Sequence, residues 1–153
     1  MPWAARIGLA AISAWLLLVA GAGAACAASA SGDFLLNCQG CHKADGSGQP
    51  GYVPDFRGFV SRFLAIPDGR AYLGRVPGTA QSFLDDESRA AVLNWIVATF
   101  DPADVPADFA PYTAGEMATY RRTPLSQAGA ERDRLVTLIL ARERIQIRRP
   151  PAR

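Results

Sequence analysis

The 153-residue chain is poor in residues that build reactive or metal-binding centres: it has one histidine, three cysteines and two methionines. Three cysteines, one of them isolated at Cys26, exclude a disulfide-dense scaffold. Only Cys38, Cys41 and His42 lie close together, and three ligands crowded into five residues make a poor tetrahedron for structural zinc. Lysine is almost absent, Lys43 being the only one, so nearly all positive charge is arginine. The formal net charge of +2 predicts no general affinity for nucleic acid or for a membrane surface. No stretch alternates with the two-residue period of a half-buried strand, which leaves an all-α fold. Internal repeats are absent too.

What is present is compact. Cys38-Gln39-Gly40-Cys41-His42 is the C-x-x-C-H pattern that attaches a c-type haem. Two thiols add across the two haem vinyl groups and become thioethers. The two intervening residues let one turn of chain bring both sulfurs to one porphyrin edge, and the following histidine becomes an axial ligand of the iron. A thioredoxin-type reading of C-x-x-C needs a βαβ context, which is missing. A single copy of the motif predicts one haem c, covalent through Cys38 and Cys41, with His42 on the metal.

The N-terminus agrees with that chemistry. No charge occurs from Ile7 to Gly32, the apolar stretch Ala14 to Ala20 contains Trp15-Leu16-Leu17-Leu18-Val19, and small residues follow from Gly21 to Ala30. This is the layout of a secretory signal, with Ala25-Cys26-Ala27 and Ala28-Ser29-Ala30 as cleavage sites. Residues 1–30 are therefore expected to be a leader and the mature protein periplasmic. By length, Ile7 to Ala28 also spans a bilayer, so a membrane association is expected only if the leader stays uncleaved. A lipid anchor at Cys26 fits less well, because Gly23-Ala24-Ala25 lacks a large aliphatic residue. About 123 residues remain after cleavage, one domain by length.

Along the mature chain, a first helix is expected from Asp33 to about Gly40, with Phe34, Leu35 and Cys38 on one face. Gly46, Gly48, Pro50, Gly51 and Pro54 mark a loop. Short helices follow at Arg57 to Ala65 and Asp68 to Arg75, then a loop from Val76 to Ser82 around Pro77-Gly78. Asp85 caps the clearest helix, Asp86 to Phe100, whose buried stripe is Ala90, Leu93, Val97 and Phe100 beside Ile96. The proline-rich stretch 102–112 reads as an extended linker. Thr113 and Glu116 form a capping box for a helix from Ala114 to Arg122. A last helix runs from Gln127 to about Ile147, with Leu135, Leu138, Ile139, Arg142 and Ile145 at helical spacing. Its arginine-rich faces suit either a solvated surface or a docking surface for an acidic redox partner. The expected division is thus a leader at 1–30, a haem domain at 31–101, a linker at 102–112 and a helical extension with a basic tail at 113–153.

The stretch from Ser31 to Phe100 resembles the class I cytochrome c family. The likeness rests on the helix leading into C-x-x-C-H, on Pro54-Asp55-Phe56-Arg57-Gly58, which is similar to the family's Pro-x-Leu-x-Gly segment, and on Leu84-Asp85-Asp86-Glu87 followed by Val92-Leu93-Asn94-Trp95-Ile96, which looks like its terminal helix. The resemblance implies a helical domain wrapped around one haem and a Pro54 carbonyl that accepts the Nδ1 proton of His42; an ordinary turn proline is the other reading of Pro54. Trp95 is expected to pack rather than relay electrons. Arg57, Arg62, Arg70, Tyr72 and Arg75 flank the haem loops, where one or two of them are expected to hold propionates and the others to be solvated surface residues.

One departure stands out. Many short bacterial members carry a Met-Pro before the terminal helix, and that methionine is the second axial ligand. Here the dipeptide is Val76-Pro77, and valine has no donor atom. Two options stay open. Met117 folds back to the metal from beyond the terminal helix, or the sixth position is open or holds water or a weaker ligand such as Lys43 or Gln81. The resemblance implies an electron carrier rather than an enzyme, one that passes electrons from a dehydrogenase to a downstream cytochrome or oxidase. Its alternatives are a five-coordinate haem protein that binds or reduces peroxide or a diatomic gas, and a fixed subunit of a larger redox complex.

Overall fold

A computed structural model describes residues 30–148; the leader expected at 1–30 lies outside the described residues apart from Ala30. Among them there are helices and no strand, only an isolated bridge between Gln49 and Val53. No described helix is long and apolar enough to cross a membrane.

The first helix, α1 (30–37), begins earlier than expected and is offset at Cys38 from a single turn, α2 (Gln39–His42). Cys38 N–H still donates to the Phe34 carbonyl at 2.9 Å, and His42 N–H to the Cys38 carbonyl at 3.0 Å, so the two pieces share one hydrogen-bonded path. Phe34 is completely buried, whereas Leu35, expected on the same face, is 48% exposed. The reason is angular: positions 34 and 38 stack one turn apart, while 35 is rotated by about 100°. Lys43 ends the motif at a positive φ of 59°.

The short helix expected at Arg57 to Ala65 is a 3-10 helix, Val60–Ala65. Gly58, at φ 63°, interrupts any earlier start. Helix α3 (Gly69–Arg75) follows a left-handed Asp68. The loop expected from Val76 to Ser82 instead contains a helical turn, α4 (Pro77–Ala80). Proline at the first position of a helix loses no hydrogen bond and already has helical φ, so Pro77 opens this turn rather than breaking it.

Helix α5 (Asp86–Phe100) has the expected bounds, and Asp85 accepts from Ser88 N–H at 2.7 Å. It buries Ala90, Val92, Leu93, Ile96 and Val97, more of its circumference than one stripe, because other elements cover it on several sides. The 102–112 stretch, expected to be extended, holds a 3-10 turn at Pro102–Asp104 and a second turn closed by Phe109 N–H donating to the Pro106 carbonyl at 3.0 Å. The capping box of Thr113 and Glu116 starts α6 (Ala114–Tyr120). The last helix, α7 (Ala128–Arg148), turns Leu135 and Ile139 into the core and leaves Leu138 and Ile145 exposed.

Residues from both ends of the described chain share one core: Phe34, Phe63, Leu73, Leu93, Ile96, Tyr112, Met117, Leu135 and Ile139. Trp95 packs its ring against Phe34 and Phe100, at 5.0 and 5.4 Å between centroids. Polar clamps fix the assembly. The Asn94 side chain accepts from Tyr112 N–H at 2.7 Å and donates to the Tyr112 carbonyl at 3.0 Å, tying α5 to the start of α6. Buried Ser61 donates its hydroxyl to the Asp101 carbonyl and its N–H to the Asp101 carboxylate. Arg70 on α3 grips Glu116 on α6 with two nitrogens, at 2.7 and 2.9 Å.

The Arg70 hydrogen bonds, with those from Thr113, hold the Glu116 carboxyl below its usual value of 4.5. A lowered folded-state pKa contributes stability above the unfolded value and loses it as pH falls through the folded one. Wild type should therefore exceed Glu116→Gln by about 1 kcal/mol near pH 7. In urea melts across pH, this advantage should shrink as the pH drops below 4.5. An advantage that stays constant into acid would contradict the clamp.

Candidate functional site

The loop after α2 is shaped to bring one carbonyl to the only histidine. Gly48 N–H donates to the His42 carbonyl at 3.1 Å, Phe56 N–H to Gly46 at 2.9 Å, and Gln49 and Val53 exchange paired hydrogen bonds of 2.8 Å. Folded this way, the loop sets the Pro54 carbonyl 3.2 Å from His42 Nδ1. A carbonyl only accepts, so Nδ1 carries the proton and the lone pair of the neutral ring lies at Nε2. Burial pushes the imidazole below its usual pKa, and the bond to Pro54 opposes this in part. Phe56 stacks on the ring at 3.9 Å between centroids and 15° between planes. His42 is thus held by a hydrogen bond on one ring nitrogen and an aromatic face, while Nε2 has no protein partner among the described residues.

His42 opens on a cavity of about 410 Å³, within the size range of cofactor sites. Cys38, Cys41, His42 and Pro54 all line it. Both cysteines are free thiols, and burial pushes Cys38 up, aided by the nearby charges of Asp33 and Cys41. A raised pKa favours the neutral thiol over a thiolate metal ligand. No described group of three or more Cys, His, Asp or Glu residues is arranged to hold a metal ion. The remaining walls are mainly apolar: Val60 and Phe63 of the 3-10 helix, Tyr72 and Leu73 of α3, and Val92, Leu93 and Ile96 of α5. Two thiols and a tautomer-fixed imidazole at a large apolar cavity fit a covalently attached porphyrin.

The other candidates are placed differently. Met117 is fully buried in the core, on the helix α6 that packs against α3 and α5, and is not on the cavity wall. Lys43 and Gln81 are exposed and do not line it either. Of the five propionate candidates only Tyr72 reaches the cavity. Arg57 is engaged by Asp55 and Asp45, Arg62 by Asp104 and Glu143, Arg70 by Glu116, and Arg75 donates to the Thr123 carbonyl at 2.7 Å. The sequence reading missed Arg132. This α7 residue lines the cavity, lies 5.9 Å over the Phe59 ring and has no carboxylate partner among the described residues. A signal was available, since Arg132 precedes the inward residues Leu135 and Ile139 at helical spacing.

A second residue missed from sequence is Arg89, 2% exposed at the cavity wall. It donates to Ser82 Oγ at 3.2 Å, to the Ser82 and Leu84 carbonyls at 3.1 and 2.7 Å, and to Asp86. A guanidinium has five N–H donors in a fixed fork, and here it staples the segment after α4 to α5.

Comparison with known proteins adds a second line of argument. The chain is 35% identical over 144 residues to a cytochrome c-552 of Thermus thermophilus, an alignment covering 81% of this chain and 95% of that protein. It is 36% identical over 118 residues to another Thermus thermophilus cytochrome c-552, covering 64% of this chain and 90% of that protein. No family model matches the chain.

Gly48 is the weak point of the loop. It sits at φ +63°, and a Cβ there would lie 2.3 Å from the Val53 carbonyl oxygen and 2.6 Å from that of Pro54. Gly48→Ala should displace the carbonyl that orients His42 and destabilise the protein by about 1–3 kcal/mol, read as a lower urea midpoint. An unchanged midpoint would show that the loop adapts without cost.

Proposed function

Because this chain belongs to the monohaem c-type cytochromes, we propose that it carries single electrons in the periplasm, from a dehydrogenase to a downstream cytochrome or oxidase. The family membership brings one covalent haem c, whose iron supplies the one-electron couple. Cys38 and Cys41 would hold it through thioethers and His42 would bind its iron through Nε2, with the Pro54 carbonyl accepting the Nδ1 proton. A proton held on Nδ1 keeps the lone pair on the nitrogen that meets the metal and raises its basicity. The apolar walls exclude water and lower the local dielectric, which together with axial ligation are the protein's levers on potential. Arg132 brings to the cavity a positive charge with no carboxylate partner among the described residues, matched to the propionates of the porphyrin. Export rests on the leader-like N-terminus, and haem attachment outside the cytoplasm agrees with it.

The observation that carries this reading is the convergence of Cys38, Cys41, His42 and the Pro54 carbonyl on one cavity. A carrier needs no acid–base pair to cleave a substrate bond, and the described cavity wall holds one imidazole, already committed at Nδ1. Film voltammetry of the exported holoprotein from a periplasmic extract should give one reversible one-electron wave without sustained current on adding peroxide. His42→Ala should abolish the native wave and spectrum. A catalytic peroxide current, or a His42→Ala protein with the wild-type spectrum, would overturn the assignment.

A further inference from the structure

The side chains that ligate haem iron in proteins are histidine, methionine, cysteine thiolate and tyrosine, with lysine amine as a further nitrogen donor. Apart from His42 and the two motif cysteines, the cavity wall carries none of these except Tyr52 and Tyr72. Tyr72 is stacked on Phe63 at 4.9 Å, and burial pushes its phenol up, against the phenolate that would bind iron. Tyr52 is 85% exposed and belongs to the loop that already serves His42 through Pro54.

The segment that contributes Val76, Thr79 and Ser82 offers only neutral hydroxyls. Ser82 Oγ is committed on both sides, donating to the Thr79 carbonyl at 3.1 Å and accepting from Arg89 at 3.2 Å. Arg89 also holds the Ser82 and Leu84 carbonyls, which keeps this segment from swinging another group inward. Met117 is no freer. Its helix is fixed by the capping box, by the Arg70–Glu116 pair and by the Asn94–Tyr112 hydrogen bonds, and its side chain fills the core. Bringing the sulfur into the cavity requires α6 to leave α3 and α5.

The geometry points to an iron with a sixth position that no described side chain fills, and therefore to a site for a small exogenous ligand, a neutral π-acceptor diatomic on the reduced haem. This rests on the haem assignment above and goes beyond it: the chain would be a carrier whose iron is open to ligands. Thr79 and Ser82 are the wall hydroxyls contributed by the segment around α4, and Val76 is the sequence cause of the missing donor.

Carbon monoxide is the probe. Full-length exported holoprotein, reduced with dithionite, should show a high-spin spectrum that shifts on adding carbon monoxide, and the oxidised form should lack a sulfur-to-iron charge-transfer band. Met117→Leu should leave both spectra unchanged. Should that variant fold poorly, selenomethionine labelling of the wild type serves instead, since selenium moves a ligand band only if Met117 is bound. A low-spin reduced form indifferent to carbon monoxide, or a charge-transfer band that either change at Met117 removes or shifts, would overturn the inference. A protein without covalent haem on a denaturing gel would instead contradict the proposed function.

Discussion

The hydrogen bond from His42 Nδ1 to the Pro54 carbonyl sets the conditions for everything else at this site. It selects the tautomer, fixes the ring against Phe56 and leaves Nε2 toward the cavity. The bond exists because the loop between α2 and the 3-10 helix is short, glycine-rich and internally bridged at Gln49 and Val53. Gly48 allows two carbonyls to approach its backbone at distances that no Cβ tolerates. Local backbone chemistry in a loop thus determines which atom of the only imidazole is available.

Around that loop the helices divide the work. Helix α5 is wall and core at once, lining the cavity with Val92, Leu93 and Ile96 while Asn94 holds Tyr112. The C-terminal part of the chain is built into the same core through Tyr112, Met117, Leu135 and Ile139. It also brings Arg132 to the cavity. Two buried or half-buried arginines therefore have different duties: Arg89 is spent on protein carbonyls and stiffens the segment after α4, whereas Arg132 has no carboxylate partner among the described residues. Through those bonds Arg89 keeps Ser82 and Leu84 in place on the cavity wall.

The legible parts of the sequence were those where chemistry leaves little freedom. C-x-x-C-H dictates its own geometry, and Asp85 and Thr113 with Glu116 mark helix starts by side-chain hydrogen bonds that operate within four residues. Pro54 was readable only through resemblance, since a carbonyl carries no sequence signature. Pro77-Gly78 read as a loop because both residues punctuate helices, yet proline at a first helical position begins one. Arg132 escaped because a charged residue on a helix is assigned to solvent by default, and its place on the inward face appears only once Leu135 and Ile139 are seen to be buried. Met117 shows a different limit: a methionine that packs and one that ligates have the same local sequence, and tertiary placement alone distinguishes them.

The central claim is that this cavity holds one porphyrin bonded to Cys38 and Cys41. Intact-mass spectrometry of the denatured protein, exported from cells competent in c-type haem attachment, tests it most directly. The account predicts a single species at the mass of the mature chain plus one haem, unchanged by extraction with acidified organic solvent. A species at the mass of the chain alone, with the haem released into the solvent, would contradict it.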